Sequence, residues 1–228
     1  MYAILDQQGF DEAFCIEKSQ YATVFEVLSR QQGVIGWCDE NKRLALFHLV
    51  RATQPEKIVE IGVYGGASLL PMAAGLAENG KGMIYGVDPW NAEASLQYQT
   101  SENYSFWSQV DHPRLLAYLE YKIGELGLRD HIRLIRATSQ EAAPIEEIDI
   151  LHIDGNHSEE ISFADVVKWA PLVKKGSGWI VFDDLDWSDG GRRTTMRAVR
   201  YLDEHCQRVA EYFEDDQQEI CSWAIWRK

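Results

Sequence analysis

Acidic side chains recur at the ends of short apolar runs in this chain. Glu60, Asp88, Asp154 and the pair Asp183-Asp184 each close a β-prone segment. If those segments are parallel strands of one sheet, the carboxylates gather at its carboxyl edge, where open α/β folds bind their ligands. A single acid at a strand end can simply cap the next helix or face water. Repetition over several strands shifts the balance toward a shared site. Asp154, Asp183 and Asp184 offer the oxygen donors a hard cation such as Mg²⁺ prefers, and no Cys or His set at zinc spacing competes with them. His157 follows Asp154 closely, where an imidazole titrating near neutral pH could take a hydroxyl proton; the plain alternative is a helix-start residue bonded to local backbone.

Positioning such a set requires alternating strands and helices, and the sequence supplies them. Asp39 precedes a helical run from Glu40 to Val50, which Pro55 stops. Lys57 to Ile61 reads as a strand, Ala67 to Asn79 as a helix closed by Gly80, and Gly82 to Asp88 as a second strand. A helix from Pro113 to Gly127 and a strand from Ile132 to Ile135 follow. Next come a strand from Ile148 to Asp154, a helix from Ser158 to Val173 and a strand from Trp179 to Asp183. A helix from Arg193 to His205 leads to two β-prone runs, 208–213 and 220–226, around the acidic turn Glu214-Asp215-Asp216. The expected fold is α/β and doubly wound, Rossmann-like, with a mostly parallel seven-stranded sheet and an antiparallel C-terminal edge hairpin. One domain spans 1–228, with 1–35 as an N-terminal cap or lid, including a possible helix over Tyr21–Leu28. Residues 91–112, with Tyr98, Tyr104, Phe106 and Trp107, form a lid-like insertion longer than the connection needs. These aromatics and Trp187 could wall a substrate pocket or merely anchor a lid.

The turn Glu60-Ile61-Gly62-Val63-Tyr64-Gly65-Gly66-Ala67-Ser68 is not a phosphate cradle. A dinucleotide fingerprint starting at Gly62 needs glycine where Tyr64 and Ala67 stand, and the Gly-Lys-Ser/Thr ending of a P-loop is missing. Glu60 would repel a pyrophosphate and attract a cofactor carrying an ammonium and a sulfonium, which the glycines would let the backbone approach closely. Asp88, on the neighbouring strand, is placed to accept from both ribose hydroxyls. Trp90 could pack against the cofactor or equally in the core. His152 alternates with Leu151 and Ile153 and reads as a satisfied core histidine, while Asp186 and Asp189 read as a solvated loop, though either could replace Asp184 on a metal.

The segments 60–68, Gly-Val-Asp-Pro-Trp at 86–90, Asp-Gly-Asn-His at 154–157 and Phe-Asp-Asp at 182–184 together resemble class I S-adenosylmethionine-dependent methyltransferases. They are most similar to the metal-dependent O-methyltransferases of the catechol type and the macrolide-sugar type. The resemblance covers about residues 40–190 and leaves the first 35 residues and the 91–112 insertion uncovered. It implies that Glu60, Gly62, Tyr64 and Ser68 surround the methionine part of the cofactor, that Asp88 holds the ribose and that Ser139-Gln140 meet the adenine. Asp154 would then serve both the cofactor and the metal. Ser139 could equally be a helix N-cap before Glu141 and Ala142. The catechol type carries a lysine where this chain has His157 and the macrolide-sugar type a histidine, so the latter is the nearer likeness. The implied reaction is methyl transfer to a hydroxyl of a small molecule, a sugar or a phenol, with His157 as base. A noncatalytic partner-binding protein on the same fold is the alternative, disfavoured by the complete acid and histidine set; a nicotinamide oxidoreductase is disfavoured by the glycine spacing.

The formal charge of -14 opposes nucleic acid and anionic membrane as partners, since binding a phosphate backbone needs clustered Lys and Arg. There is no apolar run near the roughly 18–20 residues of a membrane span and no secretory leader, so a cytoplasmic protein is expected. Cys15, Cys38, Cys206 and Cys221 are scattered and read as free thiols. Homo-oligomerisation is left open by the sequence.

Overall fold

Helix α1 (Glu40–Thr53) begins where the Asp39 carboxylate accepts the Lys42 N–H at 2.7 Å, and it ends at Gln54 in the left-handed region. The computed structural model describes residues 34–99, 101–213 and 222–228. The Tyr21–Leu28 helix, most of the N-terminal cap, the turn at 214–216, Cys15 and Cys221 lie outside them. One face of α1 buries Ala45, Leu46, Leu49 and Val50 against its neighbouring helix, with Lys42 buried in the same stripe.

The expected order of elements is found. Strand β1 (Lys57–Ile61) leads into α2 (Leu69–Asn79), which ends at Gly80 in the left-handed conformation, and then into β2 (Met83–Val87). The insertion folds as two short helices, α3 (Ala92–Ser95) and α4 (Ser101–Trp107), before α5 (His112–Glu125) and β3 (Ile132–Ile135). Strand β4 (Ile150–Ile153), α6 (Glu159–Trp169) and β5 (Trp179–Phe182) complete the parallel part. A two-residue pair, β6 (Ser188–Asp189) and β7 (Arg192–Arg193), turns through Gly190-Gly191. Helix α7 (Met196–His205) and strands β8 (Gln207–Phe213) and β9 (Ser222–Arg227) close the chain.

Seven strands form one sheet in the order β3-β2-β1-β4-β5-β9-β8. The first five run parallel, and β9 enters antiparallel between β5 and β8. This is the mostly parallel sheet with an antiparallel edge that the sequence predicts. Every residue of β4 is buried, as expected where helices cover both faces.

The ladder continues one residue past the strands. Asp88 donates its N–H to Ile135, Asp154 to Ile61 and Asp183 to Ile153 through backbone carbonyls at 3.1, 2.8 and 3.0 Å. The strand-end acids are therefore pinned to the edge by main-chain bonds. Cys38 and Cys206 are free thiols, and burial pushes the Cys38 thiol up to about 12, which leaves it unreactive. No helix among the described residues is long and apolar enough to cross a membrane.

Candidate functional site

At the carboxyl edge lies a cavity of about 390 Å³, within the range of small-molecule sites. Of the residues expected at the cofactor, Gly62, Tyr64, Asp88, Trp90, Ser139, Gln140 and Asp154 line it. Glu60 and Ser68 do not. Ser68 Oγ donates to Glu60 Oε1 at 2.5 Å, and His152 Nδ1 lies 2.9 Å from the same oxygen. Glu60 and His152 sit opposite each other in the β1–β4 register and are fully buried. Burial raises the Glu60 pKa, with His152 and Ser68 opposing, and Glu60 Oε2 has no hydrogen-bond partner. His152 is a core histidine, as the sequence predicts, but only half satisfied: Nδ1 faces Glu60 and the buried Nε2 has no hydrogen-bond partner among the described residues.

Gly62 lines the cavity and also meets the end of the neighbouring strand. Its φ is +83°, and a Cβ there would stand 2.1 Å from the Asp154 carbonyl oxygen. The glycine lets the ends of β1 and β4 meet, which brings Asp154 to the turn. A Cβ on Gly65 would similarly strike the Ile35 carbonyl at 2.3 Å.

Asp88 organises the turn from the next strand. Its Oδ2 accepts the N–H groups of Val63 at 3.0 Å and Tyr64 at 2.9 Å, and its Oδ1 accepts that of Trp90 at 2.7 Å. Trp90 is buried and donates Nε1–H to the Tyr64 carbonyl at 2.9 Å, so it is both core and cavity wall. Tyr64 stacks on Trp37 at 5.2 Å and meets Trp107 edge-on.

On the opposite wall, Asp165 accepts from Ser139 Oγ at 2.5 Å and from Gln140 Nε2 at 2.9 Å. Burial pushes its carboxyl up to about 6, with these two bonds opposing. Lys168 Nζ donates to the carbonyls of Ser139, Gln140 and Ala142, fixing this loop to α6. The insertion forms part of the cavity wall: Ala94, Ser95, Gln97 and Gln99 line it, and Asn156 Nδ2 donates to the Gln97 carbonyl at 2.9 Å. Trp107 joins the wall, stacked on His112, whereas Tyr98, Tyr104 and Phe106 are exposed.

The proposed metal and base residues lie beside this cavity in two overlapping groups. His157 Nε2 lies 3.1 Å from Asp184 Oδ2 and 3.6 Å from Asp154 Oδ1. Asp154, His157 and Asp184 can present ligand atoms within 4.8 Å of one another, as can His152, Asp154 and Asp183. Burial lowers the His157 pKa, but Asp184 and then Asp154 outweigh it and the net direction is up. Asp184 has φ of 53°, a left-handed conformation uncommon for a non-glycine residue, of the kind that concentrates at functional sites. Trp187 stacks on His157 at 5.0 Å. Thr194 Oγ1 donates to the His157 carbonyl at 2.5 Å, and Thr195 Oγ1 to those of Asp184 and Leu185 at 2.9 and 2.8 Å. Asp186 pairs with Arg193 at 2.8 Å.

Sequence reasoning missed Lys42, His112, Asp165 and the two threonines. Lys42 Nζ contacts Asp183 Oδ2 directly and lies 3.8 Å from Asp154 Oδ2. A signal was present for two of them. Lys42 interrupts the stripe Ala45, Leu46, Leu49, and Asp165 stands in the buried stripe Ser162, Val166, Trp169. A charge inside an apolar stripe needs a partner within the fold. His112 and the threonines carry no such mark.

A family model described as a methyltransferase domain matches residues 59–185. The fold is similar to the O-methyltransferase from Bacillus cereus in complex with SAH, at 15% identity over 97% of this chain and 96% of that one, TM-score 0.60. It is also similar to TomG from Streptomyces achromogenes, an O-methyltransferase involved in tomaymycin synthesis, in complex with SAM, at 12% identity over 91% and 90%, TM-score 0.62. The N-methyltransferase NodS from Bradyrhizobium japonicum shares the fold at 14% identity over 82% and 94%, TM-score 0.56. At these identities the likeness is one of fold, and it spans both O- and N-methyltransferases. Among curated proteins, the uncharacterized protein y4gI of Sinorhizobium fredii is 28% identical over 147 residues, 63% of this chain and 14% of that protein. The chain therefore spans only a small part of that relative's length.

Proposed function

The chain belongs to the methyltransferase-domain family, and from that premise we propose that it transfers the methyl group of S-adenosylmethionine to a hydroxyl of a small molecule, a sugar or a phenol, with a divalent metal assisting. One observation carries the reading of the cavity. Asp88, Glu141, Asp154 and Asp165 line it and, among the described residues, no Lys or Arg does. Such a wall favours a cationic ligand and repels a pyrophosphate.

The residues fit the cofactor. Asp88 holds the turn with its carboxylate and retains lone pairs for ribose hydroxyls. Ser139 and Gln140, braced by Asp165, are the proposed adenine contacts. Gly62, Tyr64 and Asp154 are proposed at the methionine part, with the Glu60–Ser68 pair just outside the wall. Bound there, the cofactor supplies an electrophilic sulfonium methyl. The chain contributes alignment, with the insertion supplying part of the wall around the cofactor.

Of the three acids expected at a metal, Asp154 and Asp184, which converge with His157, are the proposed metal residues. The oxygen donors suit Mg²⁺, and the convergence of Asp154 and Asp184 with His157 supports a cation position there. A bound divalent ion would lower the proton affinity of the acceptor oxygen. His157 is the proposed base: its Nε2 lies 3.1 Å from Asp184 and 3.6 Å from Asp154, close enough for the two carboxylates to stabilise the imidazolium formed when it takes a proton, and Trp187 stacks on its ring. A small-molecule acceptor and a cytoplasmic location belong to the same reading, which the charge of -14 supports over a polyanion partner.

Calorimetric titration with S-adenosylmethionine and with NADH tests it. Saturable binding of the first and none of the second is expected; no saturable S-adenosylmethionine binding would overturn it.

A further inference from the structure

The three acids expected at a metal do not meet at one ligand position, because a lysine divides them. The Lys42 ammonium contacts Asp183 Oδ2 and lies 3.8 Å from Asp154 Oδ2, with its side chain 2% exposed and that of Asp183 9% exposed. The other Asp154 oxygen, Oδ1, faces His157, which in turn reaches Asp184. Each half of the acidic edge thus has its own partner, an ammonium on one side and an imidazole on the other.

Lys42 is held in place rather than drifting in from solvent. Its N–H is bonded by the Asp39 cap, and Ala45, Leu46 and Leu49 bury the same stripe of α1. A buried ammonium is tolerated only when paired, and an unpaired carboxylate beside it carries the same penalty. A divalent ion on Asp183 would have to share its oxygen with this ammonium, and like charges at that separation repel strongly in a dry site.

We propose that Lys42 is the resident counter-ion of Asp183 and Asp154, so that Asp183 is a lysine partner rather than a metal ligand. A divalent ion is then left with Asp154 and Asp184. The second statement rests on the metal-assisted reading above; the first does not.

The test uses Asp183→Asn and the double variant Lys42→Met/Asp183→Asn in the full chain, with thermal unfolding in EDTA and calorimetric titration of MnCl2 and MgCl2. Asp183→Asn removes the nearer of the two carboxylates from the buried ammonium, leaving Asp154 at 3.8 Å, and should lose roughly 10 °C in Tm. The double variant, which removes both charges, should regain most of that loss and bind Mn²⁺ at least as tightly as the parent. A double variant that binds Mn²⁺ more than tenfold more weakly makes Asp183 a ligand and overturns the proposal. So does an Asp183→Asn variant with unchanged Tm. If parent and double variant both bind neither ion while the stability coupling persists, the metal reading falls and the Lys42 assignment stands.

Discussion

Gln140 Nε2 donates to Asp165 Oδ1 at 2.9 Å, and that bond decides which way the carboxamide faces. An ionised carboxylate only accepts, so the nitrogen must point to Asp165 and the Gln140 oxygen is left for a donor. The amino group of an adenine is a matching donor. Asp165→Ala should release both Ser139 and Gln140 and weaken S-adenosylmethionine binding about tenfold by calorimetry. Asp165→Asn, which keeps an acceptor, should lose much less.

Asp165 also gives the fold a pH signature. Its carboxyl is pushed by burial from 3.8 up to about 6, so the protonated form is favoured in the folded state. The contribution is therefore complete below pH 3.8 and is lost as pH rises through about 6. Between those limits the parent should lose on the order of 2–3 kcal/mol relative to Asp165→Asn. Urea unfolding at a series of pH values measures this; parallel curves for the two proteins would contradict it.

Asp149 carries the opposite sign. Burial raises its pKa, but the bond from Lys174 at 2.7 Å and the N–H groups of Lys57 and Glu56 at 2.9 and 2.8 Å outweigh it and hold the carboxyl low. Its contribution is present above its ordinary value of 3.8 and fades as pH falls through the depressed folded value. Asp149→Asn should cost about 1–2 kcal/mol at neutral pH, less in high salt because the group is partly exposed. The difference should shrink in acid.

His157→Ala should leave S-adenosylmethionine affinity within about twofold while reducing turnover of a competent acceptor by about 10²- to 10⁴-fold. His157→Gln, which keeps hydrogen bonding without the basicity, should be equally slow. Full turnover in either variant would remove His157 from the reaction.

Gly62→Ala places a methyl group against the Asp154 carbonyl and forces a left-handed backbone on alanine. A loss of more than about 2 kcal/mol is expected, with S-adenosylmethionine binding lost in whatever remains folded.

The sequence by itself determined the order of strands and helices, the doubly wound sheet and the edge at which the acids gather. Those follow from periodicity, caps and turn residues, which act over a few neighbours and can be read one segment at a time. Only the tertiary structure decided which acid meets which partner. Lys42, far from Asp183 in the chain, reaches it because the fold brings the first turn of α1 to the acids that follow β4 and β5. Glu60 turns into the core because it faces His152 across the β1–β4 register. Gly62 is small for the sake of the Asp154 backbone, a contact between two strands that no local pattern contains. Charge pairing over a few ångströms depends on packing between distant segments, so the acids could be found in the sequence and their partners could not.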